Sequence, residues 1–234
     1  MSLQPTPIFI PGLICTADLF AAQIRDLQHP VAPKIANTLE CDSITGMARD
    51  ALALAEGRLV PVGLSMGGYV ALEMARIAPD RMAGIALLNT GFRTDDAARS
   101  SQRLAAIEMA KSEKFRGVTR YLLGTFLSPA ALADEALVAR VIKMADDVGR
   151  KNFLTQQKAI MGRRDQSRTL RNLGVRALVL CGKLDTLTPP EISQEMAALA
   201  PQSDLVLLDE VGHLSTLEAA DAVTAALDAY LASI

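Results

Sequence analysis

Apolar positions along the chain form short runs that alternate with longer amphipathic segments. The short runs indicate buried strands, because each is bounded by turn residues, and the amphipathic segments indicate helices. The predicted strands lie near residues 8–12, 32–37, 59–65, 82–91, 176–182 and 204–210. The predicted helices lie near residues 17–28, 43–55, 66–78 and 190–199, with a last one at the C-terminal end. This alternation is typical of an α/β fold with a mostly parallel sheet.

The last predicted helix is amphipathic. Its apolar residues from Leu217 to Leu231 share one face, and the acidic residues Glu218, Asp221 and Asp228 share the other.

The segment from about residue 92 to residue 171 differs from its flanks. It has helical spacing and many charges, and no strand is predicted in it. Residues 91–171 hold 16 Lys and Arg against 9 Asp and Glu, a net +7, so the rest of the chain carries −9 and the whole −2. We therefore expect a helical insertion at 92–171 between two parts of one α/β core, residues 1–91 and 172–234. The small total charge argues against a nucleic-acid-binding protein.

The N-terminal stretch "MSLQPTPIFIPG" has no basic start and no long apolar run, so we expect neither a signal peptide nor a membrane span, and a cytoplasmic location. The cysteines Cys15, Cys41 and Cys181 are odd in number and lack metal-site spacing. We expect three free thiols and no cysteine-built metal site.

The stretch "LVPVGLSMGGYVALEMA" places Ser65 between Gly63 and Gly67 where a predicted strand meets a predicted helix. One interpretation is a turn serine that caps the following helix. The other is a nucleophile on a sharp strand-to-helix turn, which exposes the hydroxyl at the sheet edge and requires small residues on both sides. A dinucleotide-binding fingerprint is excluded, because the third position of that pattern is serine here.

A nucleophilic serine needs a histidine base, and the chain has two histidines. His29 precedes a strand and is expected at the surface. His213 follows the last strand, so in a parallel sheet it shares the edge of the Ser65 turn. We therefore expect His213 to be the base.

The base in turn needs a carboxylate to orient it. Asp185 follows the penultimate strand, and Thr188-Pro189 is expected to cap the next helix without it. Asp209 and Glu210 lie closer to the histidine in sequence but cannot easily fold back on it. Asp185 is therefore the predicted acid.

An oxyanion formed at the serine would need backbone N–H donors. Met66, directly after the serine, supplies one. The second is expected from Leu13, in the loop after the first strand, where Gly12 permits close approach.

The motifs Gly63-Leu64-Ser65-Met66-Gly67-Gly68, Gly182-Lys183-Leu184-Asp185 and Gly212-His213-Leu214, in this order, resemble the α/β-hydrolase superfamily. The resemblance implies the α/β-hydrolase fold, with helices on both faces of the sheet and a helical lid at the insertion. The family often begins with an antiparallel strand pair, for which the seven residues before Ile8 are too few, so we expect a reduced sheet of about six parallel strands in the order 2-1-3-4-5-6. It also implies acyl transfer to water by a Ser-His-Asp triad, without a metal or organic cofactor. The first loop departs from the family, because Pro11-Gly12 stands where His-Gly is common.

The substrate is less defined by the sequence. Phe115, Tyr121, Phe126 and Met144 of the insertion are candidates for an acyl pocket, although such residues also serve as packing. The charge of +7 could attract a carboxylate-bearing ester or an acidic carrier protein, or could be a solvated surface. Esterase, lactonase or thioesterase chemistry, carbon–carbon bond hydrolysis, acyl transfer and a non-catalytic receptor all remain open.

Overall fold

The computed structural model describes residues 4–111, 118 and 120–234, and the backbone alone of residues 120 and 121. Six strands form one sheet in the order β2-β1-β3-β4-β5-β6, and all the neighbouring strands are parallel. The strands are β1 (Thr6–Ile10), β2 (Lys34–Ile35), β3 (Leu59–Leu64), β4 (Ile85–Leu88), β5 (Ala177–Gly182) and β6 (Ser203–Leu208). The predicted fold class and strand order are confirmed.

The central strands are buried on both faces, which explains their nearly continuous apolar sequence. Every residue of β1, β3, β4 and β5 is buried, whereas the edge strand β6 is partly exposed. Side chains alternate between two cores, so that Ile8 and Ile10 enter one cluster and Phe9 enters the other.

Helices cover both faces of this sheet. The helices of the α/β core are α1 (Ala21–Asp26), α2 (Ile44–Leu52), α3 (Met66–Ile77), α9 (Pro190–Leu199), α10 (Ser215–Glu218) and α11 (Ala220–Leu231). Met47 of α2, Leu72 of α3 and Met196 of α9 belong to the first cluster, and Leu227 of α11 belongs to the second. Ser43 caps α2 by accepting a hydrogen bond from the Gly46 amide.

All the regular secondary structure that is described between β4 and β5 is helical. Its helices are α4 (Ala97–Lys111), α5 (Arg120–Leu123), α6 (Pro129–Ala133), α7 (Glu135–Met161) and α8 (Ser167–Arg171). Gly149 interrupts α7 with a left-handed φ of 71°. Before it, Val138 and Val141 pack into the second cluster, and after it Ile160 packs into the first. The α7 segment therefore contributes to the cores on both sides of the sheet.

The prediction of one continuous C-terminal helix is wrong. The helix is interrupted at Ala219, whose φ of −137° and ψ of 53° are not helical, so α10 and α11 are separate helices. Glu218 does not share a solvent face with Asp221 and Asp228, because its carboxylate accepts hydrogen bonds from backbone amides of neighbouring loops. In the part of the chain that the structure describes, no helix is long and apolar enough to span a membrane.

Candidate active site

Ser65 lies between the end of β3 and the start of α3, in a backbone conformation that few residues with a side chain adopt. Its φ is 56° and its ψ is −115°. The hydroxyl makes no capping hydrogen bond to α3. The capping interpretation is therefore wrong, and the hydroxyl is left available for another role.

The glycines on either side of Ser65 are required by contact with backbone atoms. A Cβ at Gly63 would overlap the carbonyl oxygen of Gly67, and one at Gly67 would overlap the carbonyl oxygen of Ile10. Backbone cannot give way as a flexible side chain can, so this turn closes only with glycine at both positions. The predicted need for small residues here is confirmed.

Asp185 and His213 form a buried pair at the same edge of the sheet. Asp185 lies three residues after β5 and His213 lies five residues after β6. The imidazole Nδ1 is 2.8 Å from Oδ2 of Asp185. Burial raises the pKa of Asp185, but the nearby imidazole and several donated hydrogen bonds outweigh burial, so the pKa lies below its ordinary value. The carboxylate is thus an ionised acceptor, which places the imidazole proton on Nδ1.

Two further side chains hold this carboxylate. Asn89, directly after β4, donates from Nδ2 to Oδ2 of Asp185 at 2.9 Å, and the hydroxyl of Thr188 donates to the same oxygen at 2.6 Å. The amides of Leu187 and Thr188 donate to Oδ1, each at 2.9 Å. The expectation that Thr188 caps the next helix is wrong, since Pro189 occupies the cap position of α9. Sequence reasoning missed Asn89, and its only signal was its place at the end of a buried strand.

The competing residues lie elsewhere. Asp209 and Glu210 are exposed, and Asp209 pairs with Lys183 at 2.6 Å. The ring of His29 contacts the backbone of Val31 in the loop before β2.

A cavity of about 550 Å³ lies over the Ser65 turn. Ser65, His213, Leu13 and Met66 all line it, so the structure brings the predicted residues together around one space. The region between β4 and β5 supplies Arg99, Gln102, Arg103, Ala106, Leu122, Phe126, Val141, Gln157 and Ile160.

The four predicted pocket residues have different outcomes. Phe126 lines the cavity. Met144 instead packs in the second buried cluster and is not among the lining residues that the structure describes. Phe115 and the side chain of Tyr121 lie outside the described residues.

Residues 12–226 match the model of a family described as the alpha/beta hydrolase family. The chain belongs to this family. It is 26% identical to the pimeloyl-(acyl-carrier protein) methyl ester esterase of Stenotrophomonas maltophilia, over 97% of this chain and 88% of that protein. It is also similar to the enzyme of the same name from Xanthomonas axonopodis, with 29% identity over 78% of this chain and 74% of that protein.

Two solved structures agree with this alpha/beta hydrolase assignment. A thermophilic esterase from Thermogutta terrifontis has a TM-score of 0.87 and 25% identity, covering 98% of this chain and 90% of that one. An enol-lactonase from Burkholderia xenovorans has a TM-score of 0.83 and covers 99% of this chain and 92% of that one. At 21% identity, the second likeness supports the fold alone.

In this alpha/beta hydrolase, the loop after β1 is held by a buried glutamine of α7. Oε1 of Gln156 accepts the Ile14 amide at 3.0 Å, and its Nε2 donates to the carbonyl oxygen of Thr38 at 3.2 Å. Ile14 has a φ of 55°, which a side chain disfavours, so the glutamine fixes a strained loop. Leu13 lies beside it, and in the described part of the chain its amide has no protein acceptor. Met66 is the first residue of α3, so its amide has no acceptor within the helix.

Glu218 fixes the loop that carries His213. Its carboxylate accepts hydrogen bonds from the amides of Gly212 and Leu214, which flank the histidine, at 3.0 and 3.1 Å. It also accepts the amide of Ser128 at 2.9 Å, and the His213 amide donates to the carbonyl oxygen of Phe126 at 3.0 Å. The histidine loop is thus joined to the segment before α6.

Cys15 also lines the cavity but is poorly suited as a nucleophile. Burial raises the pKa of its thiol to about 12, so little thiolate exists near neutral pH. Cys15, Cys41 and Cys181 are all free thiols. Among the described residues, no group of three or more His, Cys, Asp or Glu side chains is placed to hold a metal ion.

Proposed function

We propose that the protein is a serine hydrolase that cleaves a carboxylic ester, lactone or thioester through an acyl-enzyme. Ser65 is the nucleophile, His213 the base and Asp185 the residue that orients the base. The observation that carries the proposal is the buried Asp185–His213 pair, which shares a cavity with a serine hydroxyl that does not cap its helix. The esterase relatives support it.

The proposed reaction follows from these positions. With its Nδ1 proton donated to Asp185, the imidazole keeps Nε2 free to take the proton of Ser65 as the hydroxyl attacks the ester carbonyl. The amides of Met66 and Leu13 stabilise the oxyanion. The imidazolium then protonates the leaving alcohol. In the second half of the reaction, His213 takes a proton from a water molecule that attacks the acyl-enzyme, and it returns this proton to Ser65 as the acid leaves.

The helical region is proposed as a lid, residues 92–171, over a core of residues 1–91 and 172–234. Its support is the nine residues that it contributes to the cavity lining. A cavity of about 550 Å³ suits a small acyl group, either apolar or carboxylate-bearing.

A fluorophosphonate probe tests the nucleophile. We expect stoichiometric labelling at Ser65, and a fall in turnover of roughly 10⁵- to 10⁶-fold for Ser65→Ala. Asp185→Asn should lower turnover about 10⁴-fold, because the wrong tautomer of the base is then favoured. An unlabelled wild-type protein would favour the non-catalytic receptor, and near-full activity of Ser65→Ala would place the chemistry elsewhere.

A second candidate is an ester whose acyl chain is attached to an acidic carrier protein. The net charge of +7 over residues 91–171 favours it, and so do the relatives named as esterases of an acyl-carrier-protein-linked ester. The test compares kcat/KM for one methyl ester, free and carrier-linked. Equal values would leave the small-molecule ester as the substrate.

A further inference from the structure

The candidate active site has a one-sided charge. Its permanently charged lining residues are Arg99 and Arg103, and none of the described lining residues is acidic. The two arginines are four positions apart on α4, so they lie on the same face of that helix. Two positively charged side chains of α4 therefore border the cavity that contains Ser65.

Arg103 is already paired. Its Nε lies 2.6 Å from Oδ2 of Asp95, and its Nη1 donates to Gln157 at 2.8 Å. The other oxygen of Asp95 accepts Arg163 at 2.7 Å, and this second guanidinium lies over the ring of Tyr69, which also lines the cavity. Two guanidinium groups share one buried carboxylate, so the cluster keeps a positive charge beside the cavity.

Arg99 differs from Arg103, because its guanidinium contacts a backbone carbonyl group instead of a carboxylate. It is half-buried and donates from Nη2 to the carbonyl oxygen of Leu187, in the turn whose amides hold Asp185. Asp96 accepts the backbone amide of Arg99 at 2.8 Å, but among the described residues no carboxylate lies within ion-pair distance of the Arg99 guanidinium. A guanidinium has five N–H donors in a planar fork that matches a carboxylate, and most of them stay available here. A cation withdrawn from water without a partner is costly unless a ligand provides the anion.

We propose that Arg99 binds a free carboxylate in the acyl part of the substrate, which makes the substrate class the half-ester of a dicarboxylic acid. This rests on the proposed function and names the substrate class for the same site. The positive charge of the Arg103 cluster adds to the attraction, whereas Arg99 supplies the directional contact. Gln102, between the two arginines on α4, also lines the cavity and is uncharged.

The experiment compares two methyl esters of the same length, monomethyl glutarate and the methyl ester of its half-amide, which is nearly isosteric but uncharged. Wild type should prefer the charged ester. Arg99→Gln should lower kcat/KM for the charged ester about 10- to 100-fold more than kcat/KM for the half-amide ester, mainly through KM. Arg99→Lys should recover only part of the loss, since an ammonium lacks the planar fork.

Lys111→Gln is the matched control. It removes the same charge from the same helix, about 18 Å further along, at an exposed residue that pairs with Glu108. In this variant, the ratio of kcat/KM for the charged ester to kcat/KM for the half-amide ester should equal the wild-type ratio. The proposed contact would be overturned if Lys111→Gln lowered this ratio as much as Arg99→Gln does. It would also be overturned if Arg99→Gln lowered kcat/KM equally for both esters.

Binding without turnover separates this proposal from the proposed function. In calorimetry on Ser65→Ala, glutarate should bind, and adding Arg99→Gln should weaken that binding by a similar factor. Unchanged binding in the double variant overturns the role of Arg99 even if Ser65 is the nucleophile. Failure of the fluorophosphonate to label Ser65 concerns the chemistry alone and leaves the binding result valid.

Discussion

Among the described residues, most of the backbone strain lies at single residues in or beside the cavity. Of the described residues other than glycine, Ile14, Ser65, Asn89 and Glu210 have positive φ. Ile14 and Ser65 line the cavity, and Asn89 holds the candidate acid. Each such residue costs of order 1–3 kcal/mol, which the surrounding contacts must offset. The strain lies where the proposed chemistry needs a hydroxyl, an amide and a carboxylate in fixed directions.

Ser65 allows a direct measurement of this cost. At the φ of 56° found at this position, a residue with a Cβ atom is disfavoured, whereas glycine is not. Neither Ser65→Gly nor Ser65→Ala retains a hydroxyl, so both should be inactive. We expect the glycine variant to have a free energy of unfolding about 1 kcal/mol above that of the alanine variant.

Urea unfolding of the two variants decides this point, since they share every neighbour of residue 65. In an unstrained helix, alanine would be the more stable of the two. An alanine variant at least as stable as the glycine variant would therefore show that the turn stores no strain.

At the scale of elements, Gln156 of α7 holds the loop after β1 by a hydrogen bond that the sequence did not suggest. Pro11-Gly12 stands where the family commonly has His-Gly, and Gln156 of α7 holds the amide of Ile14, the residue next to Leu13. Because α7 is a helix of the proposed lid, we expect the position of this lid to affect the geometry of the proposed oxyanion site.

Gln156→Leu tests that coupling. It removes the acceptor of the Ile14 amide and the donor to Thr38, so the loop should loosen and the oxyanion lose part of its stabilisation. Loss of a whole oxyanion donor costs about 10²- to 10³-fold in kcat, so a displaced donor should cost about 10- to 100-fold, with KM little changed. The affinity for a trifluoromethyl ketone, which forms a tetrahedral adduct on serine, should fall in parallel.

Thr38→Val is the control for this variant. It deletes only the longer contact of Gln156, at 3.4 Å, and keeps the carbonyl acceptor. A smaller effect than that of Gln156→Leu is expected. If Gln156→Leu lowers stability while kcat and ketone affinity stay at the wild-type values, the glutamine supports packing and not the oxyanion site.

The sequence predicts the elements whose position depends on the chain order alone. Ser65, Asp185 and His213 each follow a strand, and a parallel sheet places all such loops at one edge. The strand order followed from the resemblance to the family. The contacts of Thr188, Asn89, Gln156 and Glu218 could not be predicted, because each depends on which polar group another element brings near. The break at Ala219 was missed for a different reason, because the apolar period of α11 continues through α10.

At the scale of the whole molecule, the charges are divided between the helical region and the core. Ion pairs cross this division, including Arg93 with Glu195, Arg140 with Asp18 and Lys158 with Asp42. Exposed pairs contribute about 0–1 kcal/mol each, so their effect on stability is small. The excess of +7 over residues 91–171 remains, and because this region supplies nine residues of the cavity lining, we expect its field to attract an anionic substrate.

This field predicts a dependence on salt that differs from the contact made by Arg99. Added salt shortens the Debye length from about 30 Å at 0.01 M to about 8 Å at 0.15 M, so attraction from the distant charges is screened. We expect kcat/KM for monomethyl glutarate to fall with salt more steeply than kcat/KM for the half-amide ester. Arg99→Gln should lower the charged-ester value at every salt concentration yet keep most of the slope, because the other charges of the region are still present. Equal slopes for the two esters in wild type would remove the long-range attraction, and the preference for a carboxylate would then depend on the contact inside the cavity alone.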